Sequence, residues 1–232
     1  MESGWGPEVL TRHIKGFVLQ PQYRLASEEG CCFPAAVQDG LTAYSYVLNV
    51  LGVSPKQVIL SGESAGGNLV LAILRYLHGE GNGVMPLPRA ALLWSPWLDL
   101  TAKKEDIDGH GNAKIDYITG DLVEWGIERY TPPGWDSGNP YLSPLGNEFE
   151  SKVPIFLQTG TAEVLYDDHV KFAEGMREKG TEVELLEIEN APHDTFGAGI
   201  ILGYSKEVEN AAEKAAVFAE KAGKNWRMNV NM

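Results

Sequence analysis

The stretch VILSGESAGG occupies residues 58–67 and contains the pattern G-x-S-x-G, with Ser64 at its centre. Three apolar residues open the stretch, and residues 65–77 have the apolar spacing of a helix. A passage this tight from a buried strand into a helix leaves no room for side chains beside the serine, which explains the flanking glycines. The stretch therefore predicts a strand–turn–helix unit that holds the Ser64 hydroxyl above a sheet, over a helix N-terminus that favours negative charge.

Short apolar runs alternate with helix-like stretches along most of the chain. Besides residues 58–60, the sequence predicts strands at residues 16–19, 90–94, 153–157 and 183–188. Apolar residues spaced by three and four predict helices at residues 37–51, 65–77, 121–130, 165–176 and 205–222. This alternation is typical of a mostly parallel sheet with helices on both faces. Ligands of such sheets bind at the carboxyl ends of the strands, so we expect functional residues in the loops after Leu60, Trp94, Leu157 and Ile188.

One stretch departs from this rhythm. The 232 residues suit a single domain with a small insertion, and we predict one α/β domain over residues 1–232. Residues 101–150, called the excursion below, are rich in Gly, Pro and Asp. We expect the excursion to pack on the sheet or over its edge as a lid or cap.

Composition narrows the classes of partner. A formal net charge of −13 opposes binding to nucleic acid and to anionic membranes, because both rely on Lys and Arg. Cys31 and Cys32 are adjacent and define no disulfide framework, and the sequence has neither a secretory signal pattern nor an apolar run as long as a membrane span. We therefore expect a cytoplasmic protein. Metal-ligand patterns and phosphate-binding glycine loops are absent from the sequence, so no metal and no cofactor are predicted.

A serine at such a turn becomes a nucleophile only with a base and an orienting carboxylate. His193 is the one histidine in a loop directly after a predicted strand, which makes it the candidate base by elimination. His169 falls on the apolar stripe of a predicted helix, where we expect it to pack at the boundary of the core. The remaining histidines are His13, His78 and His110.

Three carboxylates follow the predicted strand at residues 153–157, and each is a candidate acid. Glu163 comes first after the strand, whereas Asp167 and Asp168 are expected one turn into the next helix. Position favours Glu163 over Asp167. A helix N-terminus also attracts carboxylates for purely structural reasons, so the residues alone leave the choice open.

Several motifs in one order resemble the hormone-sensitive-lipase-like family of α/β-hydrolase esterases. In chain order they are YRLA at 23–26, FPAA at 33–36 with Asp39, GESAGG at 62–67, SPW at 95–97, YLSPL at 141–145, residues 160–168 and APHD at 191–194. The resemblance implies the α/β-hydrolase fold and hydrolysis of small-molecule carboxylic esters with small or medium acyl chains. It covers almost the whole chain.

The resemblance also implies roles for particular residues. It implies a triad of Ser64, His193 and an acid, working through an acyl-enzyme. The family's acid opens a D-x-L-x-D pattern, which reads EVLYD at residues 163–167, so Glu163 takes the role and Asp167 is the runner-up. The backbone N–H of Ala65 is the implied donor to the oxyanion.

The chain departs from the family pattern near its start. Family members carry an H-G-G-G segment shortly before the strand that leads into Y-R-L-A, and here no such segment precedes Ser64. Gly4 and Gly6 are possible remnants of that loop. The lid helices and first strands of the family are also missing, so we expect a truncated sheet whose open edge invites self-association. Loss of oxyanion donors makes a weak or inactive hydrolase, or a binding protein, the alternative to an esterase.

Overall fold

The centre of the fold is a parallel sheet of four strands. The computed structural model describes the backbone of residues 5–229 and the side chains of residues 5–224. The strands lie side by side in chain order and are β1 (Ile59–Glu63), β2 (Ala90–Trp94), β3 (Ile155–Gly160) and β4 (Val183–Ile188). All three neighbouring pairs are parallel, so the carboxyl ends of the four strands meet at one edge. Two predicted strands have the observed bounds, and the other two begin and end one to three residues later than predicted.

Eight α-helices connect and cover the strands in the part of the chain that the structure describes. They are α1 (Gly6–His13), α2 (Ala35–Asn49), α3 (Ala65–His78), α4 (Lys104–Asp108), α5 (Gly120–Tyr130), α6 (Tyr166–Glu178), α7 (Thr195–Leu202) and α8 (Ser205–Asn229). The five predicted helices correspond to α2, α3, α5, α6 and α8, whereas α1, α4 and α7 were not predicted. None of the helices within residues 5–229 is long and apolar enough to cross a bilayer.

Alternating residues of the central strands bury the two faces of the sheet. Leu92 and Trp94 of β2 pack in one apolar cluster with side chains of α1 and α8. Leu93, which points the other way, packs with side chains of α3 and α6. Because strand side chains alternate in direction, one strand supplies both clusters. The predicted parallel sheet with helices on both faces is thereby confirmed.

The strand predicted at residues 16–19 is wrong. Residues 16–19 do not form a strand, and Phe17 is fully exposed while Val18 and Leu19 are each nearly half-exposed. A strand needs a neighbour to satisfy its backbone groups and cover its side chains. Within the described residues β1 pairs with β2 alone, so residues 16–19 do not pair with its open edge and their side chains stay uncovered.

The excursion packs against the loop that follows β3. Ile107 of α4 and Val123 of α5 are buried in one cluster with Val164 and Leu165. The excursion therefore lies beside the carboxyl ends of the strands. Whether it acts as a lid or cap stays a prediction.

Candidate active site

Ser64 lies at a strained turn between β1 and α3. Its backbone has φ 50° and ψ −117°, a left-handed conformation that non-glycine residues rarely adopt. The backbone N–H of Ser64 donates to the carbonyl of Trp94 at 2.9 Å, and its own carbonyl accepts from the N–H groups of Gly67 and Trp97, each at 2.9 Å. These bonds hold the conformation and keep the side chain at the carboxyl end of the sheet.

The glycines around Ser64 differ in what they contribute to this turn. A Cβ at Gly62 would lie 2.2 Å from the carbonyl oxygen of Gly66, and a Cβ at Gly67 would lie 2.7 Å from Cβ of Pro96. A Cβ at Gly66 would meet nothing within 4 Å. The prediction that a side chain has no room beside the serine is therefore correct at Gly62 and wrong at Gly66. The second position without room for a side chain is Gly67.

Three side chains from separate loops form a continuous line of hydrogen bonds. His193, in the loop after β4, places Nε2 2.9 Å from Oγ of Ser64. Its Nδ1 lies 3.0 Å from Oε2 of Glu163, which follows β3. Glu163 is fully buried and His193 is 2% exposed, so little water competes for either bond.

The other carboxylate and histidine candidates lie elsewhere. Asp167 is in the first turn of α6, earlier in the helix than expected, and its Oδ2 lies 3.7 Å from Nε2 of His110. His13 contacts Glu209, and His78 contacts the carbonyl of Leu74. The structure thus brings Glu163 and His193, rather than the alternatives, to Ser64.

Glu163 is anchored from behind by groups that were not predicted from the sequence. Its Oε1 accepts from the hydroxyl of Ser95 at 2.7 Å and from the backbone N–H of Gly160. Burial raises the pKa of this carboxyl, but the hydrogen bonds from His193 and from the N–H of Gly160 and the charge of His193 lower it more, so its pKa lies below the ordinary value. Ser95 directly follows β2, and a search of all four strand ends for hydroxyl groups would have found it.

The electrostatic surroundings of His193 favour its charged form. Burial lowers the pKa of the imidazole, but the hydrogen bond to Glu163 and the negative charges of Glu163, Asp194 and Asp116 raise it above its ordinary value. The ring of Tyr117, from the excursion, packs edge-on against the imidazole with centroids 5.8 Å apart. A protonated His193 is therefore surrounded by compensating charge.

His169 is buried behind Glu163, not at the boundary where we expected it. It is fully buried, and its Nε2 lies 2.8 Å from the carbonyl of Pro96. Since a carbonyl only accepts, Nε2 carries the hydrogen, and Nδ1 accepts from the hydroxyl of Thr159 at 2.7 Å. Burial lowers the pKa of His169, which favours this neutral form.

The backbone N–H of Ala65, the predicted oxyanion donor, lies at the N-terminus of α3 directly after Ser64. Ala65 is the first residue of α3, so its N–H has no acceptor within the helix. Gly4 lies outside the described residues. Gly6 is buried, and a Cβ there would lie 2.6 Å from Oε1 of Glu63, the residue before Ser64. Among the side chains of residues 5–224 no three His, Cys, Asp or Glu residues are grouped so as to hold a metal ion.

A family model described as alpha/beta hydrolase fold matches residues 8–197. The chain belongs to the α/β-hydrolase fold family. An acetyl-hydrolase of Streptomyces hygroscopicus is 36% identical over 170 residues, which make up 73% of this chain and 54% of that protein. An esterase of Acinetobacter venetianus is 32% identical over 167 residues, or 72% of this chain and 52% of the esterase. The chain thus spans about half the length of the curated relatives it matches.

Solved structures of α/β-hydrolases share the architecture. The crystal structure of EstE5 soaked with ethyl alcohol superposes with a TM-score of 0.81 at 28% identity, covering 93% of this chain and 69% of EstE5. A hormone-sensitive lipase from a metagenome library gives a TM-score of 0.79 at 27% identity, covering 92% of this chain and 70% of the lipase. The fold predicted from the sequence motifs, and their resemblance to hormone-sensitive-lipase-like esterases, are confirmed.

Proposed function

We propose that this α/β-hydrolase cleaves carboxylic esters with small or medium acyl chains, using Ser64 as nucleophile, His193 as base and Glu163 as acid. The observation that carries the proposal is the line of hydrogen bonds through His193, 2.9 Å to Ser64 and 3.0 Å to Glu163. The names of the two relatives, an acetyl-hydrolase and an esterase, support an ester as substrate.

The geometry supports acyl transfer in two steps. Because Glu163 accepts a hydrogen from Nδ1 of His193, Nε2 keeps its lone pair toward Ser64 and takes the hydroxyl proton as Oγ attacks the ester carbonyl. The negative charge that develops on the carbonyl oxygen is stabilised by the N–H of Ala65 and the N-terminus of α3. His193 then returns its proton to the departing alcohol, which leaves an acyl group on Ser64.

Water completes the cycle by the same route. His193 removes a proton from the water as its oxygen attacks the acyl-enzyme, and the collapse of the second tetrahedral intermediate returns that proton to Ser64 and frees the carboxylic acid. In both steps His193 becomes a cation next to an ionised Glu163. The lowered pKa of Glu163 and the raised pKa of His193 both favour that ion pair.

Hydrolysis of p-nitrophenyl acetate, butyrate and decanoate by the purified chain and its Ser64→Ala variant tests the proposal. We expect turnover of the two shorter esters that falls to the uncatalysed rate in the variant. Equal turnover by both proteins would reject Ser64 as nucleophile. If neither protein reacts although circular dichroism shows both to be folded, the chain is a non-catalytic hydrolase-fold protein, the alternative to an esterase.

We also propose that the chain self-associates through β1. The backbone N–H of Arg89 donates to the carbonyl of Val58, and that of Ser64 donates to the carbonyl of Trp94 in β2. The backbone groups of successive strand residues point to opposite sides, so those of Ile59, Ser61 and Glu63 point to the open edge. Open edges of this kind pair with other strands. Sedimentation equilibrium should give a dimer that Ser61→Asp weakens by like charge, and a monomer at all concentrations would contradict the idea.

We further propose a cytoplasmic location. Cys31 and Cys32 are both free thiols and both partly exposed, a state that reducing compartments preserve. Fractionation of cells that express the tagged protein should recover it in the cytoplasmic fraction. Recovery from a secreted fraction would contradict this location.

A further inference from the structure

Asp116 is a buried carboxylate of the excursion that lies between two loops of the candidate active site. Only 7% of the residue is exposed. Its Oδ2 accepts from the backbone N–H of Val164 at 2.8 Å. Its Oδ1 accepts from the backbone N–H of His193 at 3.1 Å and from that of Tyr117 at 2.8 Å. One side chain thus contacts the residue after Glu163 and the backbone of His193 itself.

We propose that Asp116 is a positioning residue that holds the loops of Glu163 and His193 at a fixed separation and adds negative charge beside the imidazole. The inference rests on the proposed function, since it concerns the same acid and base. Each carboxylate oxygen is assigned to a different loop, so the side chain bridges the carboxyl ends of β3 and β4 independently of the Glu163–His193 bond. Charge-assisted hydrogen bonds to buried N–H groups are among the stronger ones in proteins.

Asn112 lies one backbone turn before Asp116 and adds further hydrogen bonds to the Glu163 loop. The N–H of Asp116 donates to the carbonyl of Asn112 at 2.9 Å, which fixes the two residues relative to each other. Nδ2 of Asn112 donates to the carbonyls of Thr161 at 3.1 Å and Glu163 at 2.9 Å. The turn at residues 112–116 therefore binds the Glu163 loop on both sides of Glu163, through the carbonyl of Thr161 before it and the N–H of Val164 after it.

An amide at position 116 cannot reproduce these contacts. The carboxylate only accepts, and it faces three N–H donors. In Asp116→Asn the amide oxygen can accept from the N–H groups of Tyr117 and His193, but the NH₂ group then faces the N–H of Val164. The substitution therefore releases one loop and removes the charge while nearly preserving volume.

The charge of Asp116 acts on His193 together with several other groups. The charged or titratable groups around the imidazole are Glu163 from the loop after β3, Asp194 next in the chain, Tyr117 of the excursion and His169 of α6. Glu63 of β1 interacts with Asp194. Of these, only Glu163 hydrogen-bonds to the ring. Removing one of the other negative charges shifts the titration of His193 downward without breaking the Glu163–His193 bond.

The test compares Asp116→Asn with two further variants. Asp121→Asn is the matched control, because it removes one negative charge from the same excursion at an exposed ion pair with Lys104. Asn112→Ala removes the hydrogen bonds to the Glu163 loop without changing charge. Rates are measured per active site, with the concentration of reactive Ser64 titrated by a fluorophosphonate, so that unfolded protein does not enter kcat.

We expect Asp116→Asn to lower kcat about 10- to 100-fold with KM changed less than about threefold, as displacement of a catalytic group does. The acidic limb of its kcat/KM profile should move to lower pH. Asn112→Ala should lower kcat without moving that limb, and Asp121→Asn should change neither. An unmoved limb in Asp116→Asn, or unchanged kcat in both Asp116→Asn and Asn112→Ala, overturns the inference.

A measurement without substrate separates this inference from the proposed function. NMR titration of the His193 imidazole reports its pKa whether or not the chain hydrolyses esters. If the parent chain is inactive, the proposed function fails, and the inference is then judged on the imidazole alone. A lower His193 pKa in Asp116→Asn than in the parent and Asp121→Asn supports it, and identical titrations refute it. If Asp116→Asn does not fold, the crystal structure of Asn112→Ala is determined instead. A Glu163 loop that keeps its position in that structure refutes the inference.

Discussion

Glu163→Gln is the change that tests the proposed acid most directly. The carboxylate uses Oε1 to accept from Ser95 and from the N–H of Gly160, and Oε2 to accept from His193. A glutamine must place its amide oxygen at one of these two positions. The backbone N–H of Gly160 cannot turn away, so the oxygen takes the Oε1 position and the NH₂ group faces Nδ1 of His193.

The size of the effect follows from that orientation. A donor opposite Nδ1 stabilises the tautomer with its hydrogen on Nε2, which cannot accept the proton of Ser64. The same tautomer error in a Ser-His-Asp protease lowers kcat about 10⁴-fold. We expect a loss of about 10³- to 10⁴-fold here, equivalent to about 4–5.5 kcal/mol of transition-state stabilisation.

The assay is steady-state hydrolysis of p-nitrophenyl acetate with Asp167→Asn as the control. Asp167 is an exposed carboxylate in the first turn of α6 and contacts His110 instead of His193. Its substitution should leave kcat within about threefold of the parent, as surface changes away from a site usually do. A Glu163→Gln variant within tenfold of the parent, or a larger loss in Asp167→Asn, would refute the argument from tautomers.

Two further predictions concern stability and are measured by urea unfolding. Gly62→Ala should lower the free energy of unfolding by about 2 kcal/mol or more, because its Cβ would lie 2.2 Å from a backbone oxygen. Gly66→Ala, whose Cβ meets nothing within 4 Å, should cause no loss, and equal losses at both positions would contradict the steric assignment. Burial and the nearby Asp194 raise the pKa of Glu63 from 4.5 to about 7, so folding favours its protonated form. Stability should therefore fall by up to about 3 kcal/mol between pH 4.5 and 7, and Glu63→Gln should remove most of this fall; an unchanged pH profile would argue against it.

The sequence was most informative where local geometry dictates residue type. The turn around Ser64 needs glycine at position 62 for a steric reason, and the structure contains that contact. His193 was predicted because it follows a strand, and parallel strands bring their carboxyl ends together. Position favoured Glu163, and the family resemblance then assigned it as the acid. By contrast, the hydrogen bonds of Asp116 and Asn112 join segments about 50 to 80 residues apart. No local pattern distinguishes these side chains from the other polar residues of the excursion.

The failed strand prediction concerns a segment that does not pair although β1 has an open edge. Residues 16–19 have the apolar composition of a buried strand, yet composition reports only that a segment suits a pleated, covered environment. The ladder that would cover it depends on a neighbour elsewhere in the chain. In the described residues β1 offers unpaired backbone groups at Ile59, Ser61 and Glu63, and Phe17 is fully exposed. A strand-forming segment and an open strand edge are therefore both present in the described residues, and the apolar composition of residues 16–19 does not by itself pair the two.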